Sequence, residues 1–301
     1  MADRIGFIGL GRMGGPMAAH IREAGFELAV FDVVAQAMEG FREHGAHIAS
    51  SPREVADRAE IVFACVPSPQ ASKAVALGDD GVIHGKAISV YLECSTIGPD
   101  YMAELAQGFS GSRISLVDAP ISGGVAGAAQ GTLSVVASGD PASLERSRPA
   151  LETFARNVFR VADEPGPAQV AKLINNMLST TGTIAAFEGM VLGAKAGLDV
   201  EVLLDFINVS TGRNVATMQK IPDSILTRRF GGNIKIGTKD LGLYIKQAEK
   251  LGIAPYMAPR ALQVFADAIA GGYDKETMRI VEFLEKRAGE GVVVQGKPES
   301  K

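Results

Sequence analysis

A glycine-rich loop close to the start of the sequence has the residue types and spacing that bind the pyrophosphate of a dinucleotide. It consists of Gly9, Leu10, Gly11, Arg12, Met13 and Gly14, a GxGxxG pattern. The pattern alone is weak in a chain with 35 glycines, but here the apolar stretch RIGFIG precedes it and the helical pattern MAAHIREAG follows it. Such glycines allow a tight turn and a close backbone approach, which places a pyrophosphate at the N-terminus of the following helix. The alternative is a turn that serves only strand-to-helix packing.

Asp32 ends the next apolar stretch, FELAVFD, 18 residues after Gly14. This is close to the usual spacing for a carboxylate that accepts hydrogen bonds from a ribose hydroxyl. Asp32 would repel a 2′-phosphate, and the following Val33, Val34 and Ala35 supply no cation to bind one. The sequence therefore predicts NAD as the cofactor in preference to NADP.

Two later apolar stretches also end in short segments that could contact the dinucleotide. These segments are Val66, Pro67 and Ser68 after the first stretch and Cys94, Ser95 and Thr96 after the second. Ligands bind outside the carboxyl ends of parallel strands, so both segments should lie over the same crevice, with Thr96 contacting the nicotinamide half. The alternative is that Ser95 and Thr96 cap the helix predicted from Pro99.

The stretch DAPISGGVAGAAQG, Asp118 to Gly131, carries four glycines and four alanines in fourteen residues, and we name it the glycine stretch. It follows the apolar run ISLVDAP, at the same edge of the predicted sheet. Ser122, Gly123 and Gly124 can present one hydroxyl and main-chain N–H groups to a carboxylate, while residues 127–129 would leave space for a substrate. The alternative is a close-packed crossing with a long helix, which small residues also permit.

Lys172 is the one cation of an otherwise apolar segment, GPAQVAKLINNML, and Asn176 lies four residues later on the same helix face. Burial in such a segment lowers the pKa of an ammonium towards neutrality, as a general base for alcohol oxidation requires. Lys172 is therefore a candidate base. The alternative is a lysine whose stem packs on the apolar segment while its ammonium reaches water.

Two segments of the second half carry isolated polar residues. Residues 210–214 form a polar loop between predicted helices, and Arg213 either meets a distal group of the substrate or, as the favoured interpretation, lies in solvent. Lys239 and Asp240 begin another helical pattern, GTKDLGLYIKQAEKLG. An acidic residue in a first helical turn is ordinary matching to the helix dipole.

The elements that would position these residues fall into two groups. In the first half, short apolar stretches alternate with amphipathic helical patterns, including helices over 99–109 and 141–155. Strict alternation predicts an α/β N-terminal Rossmann domain with a doubly wound, mostly parallel sheet. From Glu164 onwards every pattern is helical, beginning with a segment up to Gly197 that is too apolar to lie exposed. We therefore predict an all-α C-terminal domain.

The predicted domain organisation has three parts. A dinucleotide-binding domain covers residues 1–163, a helical substrate and oligomerisation domain covers 164–292, and a loose tail covers 293–301. The length of 301 residues suits two domains. The long helix over 166–197 would form the spine of the second domain and part of a subunit contact, so we expect a homodimer or homotetramer.

The composition argues against several classes of function. The formal net charge is −4, basic residues are scattered, and the chain has five Tyr and no Trp, which argues against a nucleic-acid surface. No apolar run approaches the ~20 residues of a membrane span. Cys65 and Cys94 fit reduced thiols better than a disulfide framework. We therefore expect a cytoplasmic protein that binds a small carboxylate substrate, with no metal site and no nucleic-acid or membrane partner.

The motifs occur in the order IGFIGLGRMGGPMA, CVPSP, ECSTIGP, DAPISGGVAGAAQGTLSVVASG, GPAQVAKLINNML and KDLGLYIKQAEKLG, over nearly the whole chain. In this order and separation the sequence resembles the β-hydroxyacid dehydrogenase family, which includes 3-hydroxyisobutyrate dehydrogenase, tartronate semialdehyde reductase and 2-(hydroxymethyl)glutarate dehydrogenase. The resemblance implies an NAD(P)-dependent oxidoreductase that transfers a hydride between the nicotinamide and a small 3-hydroxy acid or its semialdehyde.

The resemblance also implies roles for particular residues. Lys172 would be the catalytic lysine, acting as general base and general acid, and Asn176 would help to position the substrate. Thr96 and Lys239 would reach the cofactor, and Lys239 would also lie near the substrate. The substrate carboxylate would be bound by Ser122, Gly123 and Gly124.

Two departures from the family pattern leave the particular hydroxyacid open. Residues 213–216 read RNVA where many relatives have an aromatic residue or a second serine, and FGGNIKIGTKDL lacks the usual apolar residues before its lysine. These are side-chain pocket positions, so they bear on the substrate and not on the reaction. Two alternatives remain, a catalytically silent nucleotide-binding or sensing protein and an imine or short-chain aldehyde reductase of the same fold. The intact Lys172 argues against both.

Overall fold

The structure is a computed structural model that describes residues 3–297. The chain divides into two compact units, Met1–Lys172 and Leu173–Lys301. The division falls within a long helix, beyond the boundary predicted at Glu164. Within the described residues, no helix combines the length and the apolar character needed to cross a membrane.

The first unit is built on a nine-stranded sheet. The strands are β1 (Ile5–Ile8), β2 (Leu28–Phe31), β3 (His47–Ile48), β4 (Ile61–Ala64), β5 (Val90–Glu93), β6 (Ser115–Asp118), β7 (Ile121–Ser122), β8 (Leu133–Gly139) and β9 (Ala155–Ala162). Their order is β3-β2-β1-β4-β5-β6-β8-β7, and β9 pairs with β8. Strands β1 to β6 pair in parallel, whereas β8 runs antiparallel to β6 and β7. The predicted doubly wound, mostly parallel sheet is confirmed, and its order reverses beside β1, where such sheets bind dinucleotides.

Helices connect the strands of this sheet. They are α1 (Gly14–Glu23), α2 (Gln36–Glu43), α3 (Pro52–Arg58), α4 (Pro69–Leu77), α5 (Pro99–Phe109), α6 (Gly124–Ala129) and α7 (Pro141–Leu151). In α3, α4 and α7 a capping Ser or Asp accepts a hydrogen bond from the first turn and a proline follows it directly. Helix α7 is shorter than predicted, because Ala155 is buried and begins β9. The short elements β3, β7 and α6 have too few residues to show a period in the sequence.

Alternate residues of the central strands pack on opposite faces of the sheet. In β1, Phe7 lies in one buried cluster and Ile8 in the other, and in β4, Phe63 and Val62 divide in the same way. Each of these strands is buried on both faces, which is why they are continuous apolar runs in the sequence. The sheet therefore gives the loops at its carboxyl edge a rigid base.

Among the described residues, the second unit contains helices and no strand. Its helices are the continuation of α8 (Pro167–Lys195), α9 (Val200–Asn208), a π-helix (Ala216–Leu226), α10 (Ile234–Lys250), α11 (Met257–Ala270) and α12 (Ile280–Ala288). Their core is one cluster that includes the fully buried Phe187, Ile221 and Phe265. The predicted helical second half is confirmed.

The described part of the C-terminal tail is held in place. Val294 is fully buried, and its N–H donates to Glu285 Oε1 at 2.7 Å. Lys297 Nζ lies 2.5 Å from Asp199 Oδ2. The prediction of a loose tail over 293–301 is therefore wrong for residues 293–297, because their backbone and side chains have partners on three helices. Residues 298–301 lie outside the described residues.

Candidate active site

The three glycines of the GxGxxG loop have different surroundings. Gly9 has a φ of +91°, and a Cβ there would lie 2.3 Å from the carbonyl oxygen of Cys65. A Cβ on Gly14 would lie 1.9 Å from the carbonyl oxygen of Gly9, so only glycine allows α1 to start this close to the loop. A Cβ on Gly11 would meet no atom within 4 Å. Packing within the protein therefore does not require a glycine at position 11. Close approach of a pyrophosphate to the backbone would require one.

Asp32 connects the end of β2 to the glycine loop. Its Oδ2 accepts a hydrogen bond from the Leu10 N–H at 2.6 Å, and its Oδ1 accepts one from the Val34 N–H at 2.8 Å. The side chain stays partly exposed, and each oxygen keeps a lone pair for a ribose hydroxyl. Val33 and Val34 beside it are exposed and carry no charge. The loop, Asp32 and the start of α1 therefore fit a dinucleotide.

The ends of β4 and β5 are joined beside the glycine loop. Ser95 Oγ accepts a hydrogen bond from the Val66 N–H at 2.8 Å, and the Ser95 N–H donates to Glu93 Oε1 at 2.9 Å. Glu93 is fully buried and is also bonded by the hydroxyls of Ser72 and Tyr91, while burial raises its pKa. Ser95 therefore fixes a strand end. It does not cap α5, whose N-cap residue makes no side-chain capping bond.

Pro67 and Thr96 follow these two strand ends and remain accessible. Pro67 is exposed, and Val66 and Thr96 are partly exposed. All three lie at the carboxyl edge of the sheet, on strands that neighbour β1 or its direct partner. This is the edge where parallel sheets bind dinucleotides.

A network around Asp118 fixes the start of α8. Asp118 ends β6 and is fully buried, and its Oδ2 accepts hydrogen bonds from the N–H groups of Gly166 and Gln169 at 3.1 and 3.0 Å. Its Oδ1 accepts one from Gln169 Nε2 at 2.7 Å. Gln169 Oε1 in turn accepts hydrogen bonds from the N–H groups of Ile97 and Gly98, both at 2.9 Å. We name these five residues the helix-start network, and it joins α8 to the ends of β5 and β6.

The helix-start network also determines where Lys172 lies. Burial raises the pKa of Asp118 to about 7, although hydrogen bonds from Gln169 and Gly166 act in the opposite direction. Lys172 follows Gln169 by three residues, within the next turn of α8, and its side chain is buried. The helix-start network therefore links the turn of α8 before Lys172 to the ends of β5 and β6 by hydrogen bonds.

The glycine stretch has an exposed half and a buried half. Gly123 and Gly124 are exposed, with φ values of +132° and +67°, and Ser122 before them is partly exposed. They lead into α6, whose first N–H groups have no acceptor within the helix. Residues 127–128 are instead buried against Leu133 of β8 and the face of α1. The expectation that they leave space for a substrate is therefore wrong for these two residues, which serve packing.

Asn176 is oriented by a carboxylate on another helix. Its Nδ2 donates to Asp240 Oδ2 at 2.7 Å, and Asp240 Oδ1 lies 3.1 Å from Lys239 Nζ. Helix α10 begins at Ile234, so Asp240 lies in its second turn and is buried, contrary to the expected place in a first turn. Asp240 thus fixes the amide that follows Lys172 by one turn of α8.

Arg213 lies in the loop between α9 and the π-helix and is exposed, which agrees with the favoured interpretation of a residue in solvent. The loop itself is held by Asn214, whose Oδ1 accepts a hydrogen bond from the Ala216 N–H at 2.8 Å. Within residues 3–297, no group of three or more His, Cys, Asp and Glu side chains could hold a metal ion.

Four residues that organise the site are missing from the sequence predictions. Glu93 and Asp118 are the last residues of apolar strands, and a carboxylate in that place is a signal because a buried charge needs donors. Gln169 lies three residues before Lys172 on the helical pattern, which places both in adjoining turns. Asp240 carries no such signal. The sequence pattern around it is the same as that of an exposed carboxylate in the first turn of a helix.

Two sequence families match the chain. Residues 4–162 match the NAD binding domain of 6-phosphogluconate dehydrogenase. Residues 166–284 match the family described as NAD-binding of NADP-dependent 3-hydroxyisobutyrate dehydrogenase.

Individual proteins match over nearly their whole length. The NAD-dependent L-serine dehydrogenase of Pseudomonas aeruginosa is 35% identical over 293 residues, which covers 93% of this chain and 97% of the relative. The 2-(hydroxymethyl)glutarate dehydrogenase of Eubacterium barkeri is 30% identical over 293 residues, with coverage of 96% and 97%. The solved structure of Mycobacterium tuberculosis 3-hydroxyisobutyrate dehydrogenase with L-serine has a TM-score of 0.83 at 30% identity and covers 94% of this chain and 99% of that one.

Proposed function

Because this chain belongs to the β-hydroxyacid dehydrogenase family and is an NAD(P)-dependent hydroxyacid oxidoreductase, we propose that it oxidises a small 3-hydroxy acid with Lys172 as the general base. The observation that carries the proposal is the place of this lysine. Lys172 is buried, and the turn before it is bonded through Gln169 and Asp118 to the ends of two strands. A proton acceptor must be held within hydrogen-bond reach of the hydroxyl, and such a base is best built on rigid elements.

The cofactor-binding residues are those of the glycine loop, Asp32 and the two strand ends. The glycine loop receives the pyrophosphate against the N-terminus of α1, and Asp32 accepts hydrogen bonds from the adenosine ribose. Val66 and Pro67 contact the cofactor, and Thr96 contacts its nicotinamide half. We propose NAD rather than NADP, because Asp32 and the uncharged Val33 and Val34 offer nothing to a 2′-phosphate. When bound, the nicotinamide supplies the hydride acceptor for oxidation and the donor for reduction.

Lys172 handles the proton. In oxidation the neutral Nζ takes the proton of the substrate hydroxyl, and in reduction the ammonium returns it to the carbonyl oxygen. A base must be unprotonated, so kcat/KM for oxidation should rise with pH through the pKa of this lysine. Asn176 positions the substrate, and its bond to Asp240 fixes the direction of its amide.

The exposed half of the glycine stretch binds the substrate carboxylate. Ser122 supplies a hydroxyl, and Gly123 and Gly124 supply N–H groups where the chain enters α6. We assign contacts with the cofactor and the substrate to Lys239 as well. Its ammonium lies against Asp240, so Lys239 and Asn176 are held by the same carboxylate.

We also infer that α8 forms part of a subunit contact in a homodimer or homotetramer. Ile174, Leu178 and Leu192 of this helix are exposed by 45%, 61% and 70%, an apolar surface that association would cover. A cytoplasmic location is in keeping with the free cysteines Cys65 and Cys94.

A panel of hydroxyacids tests the function directly. Formation of reduced nicotinamide is followed by its absorbance with 3-hydroxyisobutyrate, L-serine and 2-(hydroxymethyl)glutarate, each with NAD and with NADP. We expect turnover of at least one 3-hydroxy acid, with higher kcat/KM for NAD than for NADP. Turnover of none of them, with cofactor bound, would contradict the proposal.

Lys172→Arg tests the role of the lysine. Arginine keeps the positive charge but cannot release a proton at working pH. Positioned proton transfer typically contributes 10²–10⁴-fold, so we expect a loss of about that size in kcat with little change in the dissociation constant of NAD. The matched control is Lys235→Arg, at an exposed lysine of α10, which should keep its activity. If Lys172→Arg retained more than about a tenth of the activity, the base would have to be another group.

A further inference from the structure

Lys220 lies on the π-helix and points its ammonium at α8. Its Nζ donates to Thr183 Oγ1 at 2.8 Å and to Ser179 Oγ at 3.2 Å. Both partners are neutral hydroxyls, and the lysine side chain is partly buried. Segments of π-helix are rare and are frequently found at functional sites.

The charge of Lys220 has no carboxylate partner among residues 3–297. Exposed lysines of this protein do have one, such as Lys73 with Glu104 at 2.8 Å and Lys297 with Asp199. Burial lowers the pKa of the Lys220 ammonium, and no neighbouring acid acts in the opposite direction. A cation that is removed from water without a counter-ion is unfavourable, and such groups are concentrated at functional sites.

The two hydroxyls that hold Lys220 lie on the same face of α8 as Asn176. Ser179 and Thr183 follow Asn176 by three and seven residues, spacings that return to one helix face. Three residues correspond to ~4.5 Å along the helix axis. Because the ammonium is bonded to both hydroxyls, it lies one to two helical turns beyond the amide that positions the substrate.

The charge of Lys220 selects the kind of group that can lie beside it. A carboxylate at the far end of a substrate would supply the missing counter-ion and accept the third N–H of the ammonium. A methyl group in that place would leave the cation uncompensated. The ammonium of serine would be repelled.

We propose that Lys220 binds the second carboxylate of a dicarboxylic 3-hydroxy acid, which makes this class the preferred substrate. The inference rests on the proposed function, because the hydroxyl and the first carboxylate are bound by the residues named there. Ser179 and Thr183 hold the ammonium in place in the free protein, and the substrate adds the negative charge.

Two substrates that differ only at C2 test the inference. 3-Hydroxyisobutyrate carries a methyl group where 2-(hydroxymethyl)glutarate carries a carboxyethyl group, on the same hydroxymethyl and carboxylate unit. We expect kcat/KM to be about 10- to 100-fold higher for the dicarboxylate, the size of a charge-assisted hydrogen bond. Equal values, or a higher value for 3-hydroxyisobutyrate, would overturn the inference and leave hydroxyacid oxidation standing. Activity on neither would overturn both.

Lys220→Met removes the charge and keeps the length of the side chain. We expect the ratio of kcat/KM between the two substrates to fall by about 10- to 100-fold, and the dissociation constant of the unreactive dicarboxylate glutarate, measured by titration calorimetry with NAD bound, to rise by a similar factor. Lys235→Met makes the same change of net charge at an exposed position and should alter neither quantity.

Lys220→Gln separates charge from structure, because an amide can still donate to the two hydroxyls. It should lose the preference for the dicarboxylate as Lys220→Met does. An unchanged ratio in both variants, or a loss in Lys220→Met that Lys220→Gln restores, would overturn the inference.

Discussion

The carboxylate of Asp118 and the ammonium of Lys220 are both withdrawn from water, but their partners differ. Asp118 is bonded by the N–H groups of Gly166 and Gln169, by the side-chain amide of Gln169 and, at 3.3 Å, by the Ser138 hydroxyl. Lys220 is bonded by two hydroxyls and, within the described part of the chain, by no group of opposite charge. Asp118 thus accepts four hydrogen bonds, as many as its carboxylate has lone-pair sites, whereas Lys220 makes two of the three that its ammonium can donate.

The number of hydrogen bonds separates a buried charge that holds the fold together from one that binds a ligand. A buried charge with a full set of hydrogen bonds fixes the elements that supply them, and removing it leaves those donors unsatisfied. A buried charge that keeps an unused hydrogen-bonding site stabilises little by itself and gains when an opposite charge arrives. Asp118 should therefore matter for stability and for the place of Lys172, and Lys220 should matter for ligands.

The largest effect is expected from Asp118→Asn, which keeps the shape of the side chain and breaks the helix-start network. In asparagine an NH2 group replaces one carboxylate oxygen and would face an N–H donor of the network. The donor that loses its acceptor is left unsatisfied, so the free energy of unfolding should fall by about 1–3 kcal/mol. The resulting displacement of Lys172, by ~1 Å, should lower kcat by about 100-fold. Urea unfolding and initial rates with a 3-hydroxy acid measure the two effects.

Asp140→Asn is the matched control for Asp118→Asn. Asp140 is an exposed N-cap of α7 that accepts a hydrogen bond from the Ser143 N–H, and asparagine caps helices about as well as aspartate. The control should keep both its stability and its kcat. Equal losses in the two variants would show that Asp118 has no special role.

A smaller effect is expected from Asp32→Ala, because Asp32 combines features of Asp118 and of Lys220. Both of its oxygens accept hydrogen bonds from the protein, as those of Asp118 do, but its side chain is partly exposed and can also bind a ligand. The ratio of kcat/KM for NAD to that for NADP should fall by about 10- to 100-fold in the variant, the value of a hydrogen bond to a charged group. Comparable kcat/KM for the two cofactors in the unmutated protein would show that Asp32 does not determine a preference for NAD over NADP.

The sequence predicts those parts of the molecule that depend on local pattern. The alternating strands and helices follow from period and length, and the glycine loop with Asp32 follows from spacing. The helix-start network does not, because Asp118 and Gln169 are 51 residues apart in the sequence and meet only when the sheet has formed. Lys220 gives no signal either, since its burial depends on a π-helix that no simple period describes.

The most direct test of the difference between Asp118 and Lys220 is the stability of Lys220→Met. Its free energy of unfolding is measured in the presence of NAD, with and without glutarate. Without glutarate the variant should be at least as stable as the unmutated protein, because an uncompensated buried cation has been replaced by an apolar side chain. With glutarate at about 100 times its dissociation constant, the unmutated protein should gain about 2.7 kcal/mol and the variant much less. A variant that loses more than about 2 kcal/mol without glutarate, or that gains as much from glutarate as the unmutated protein does, would contradict the account.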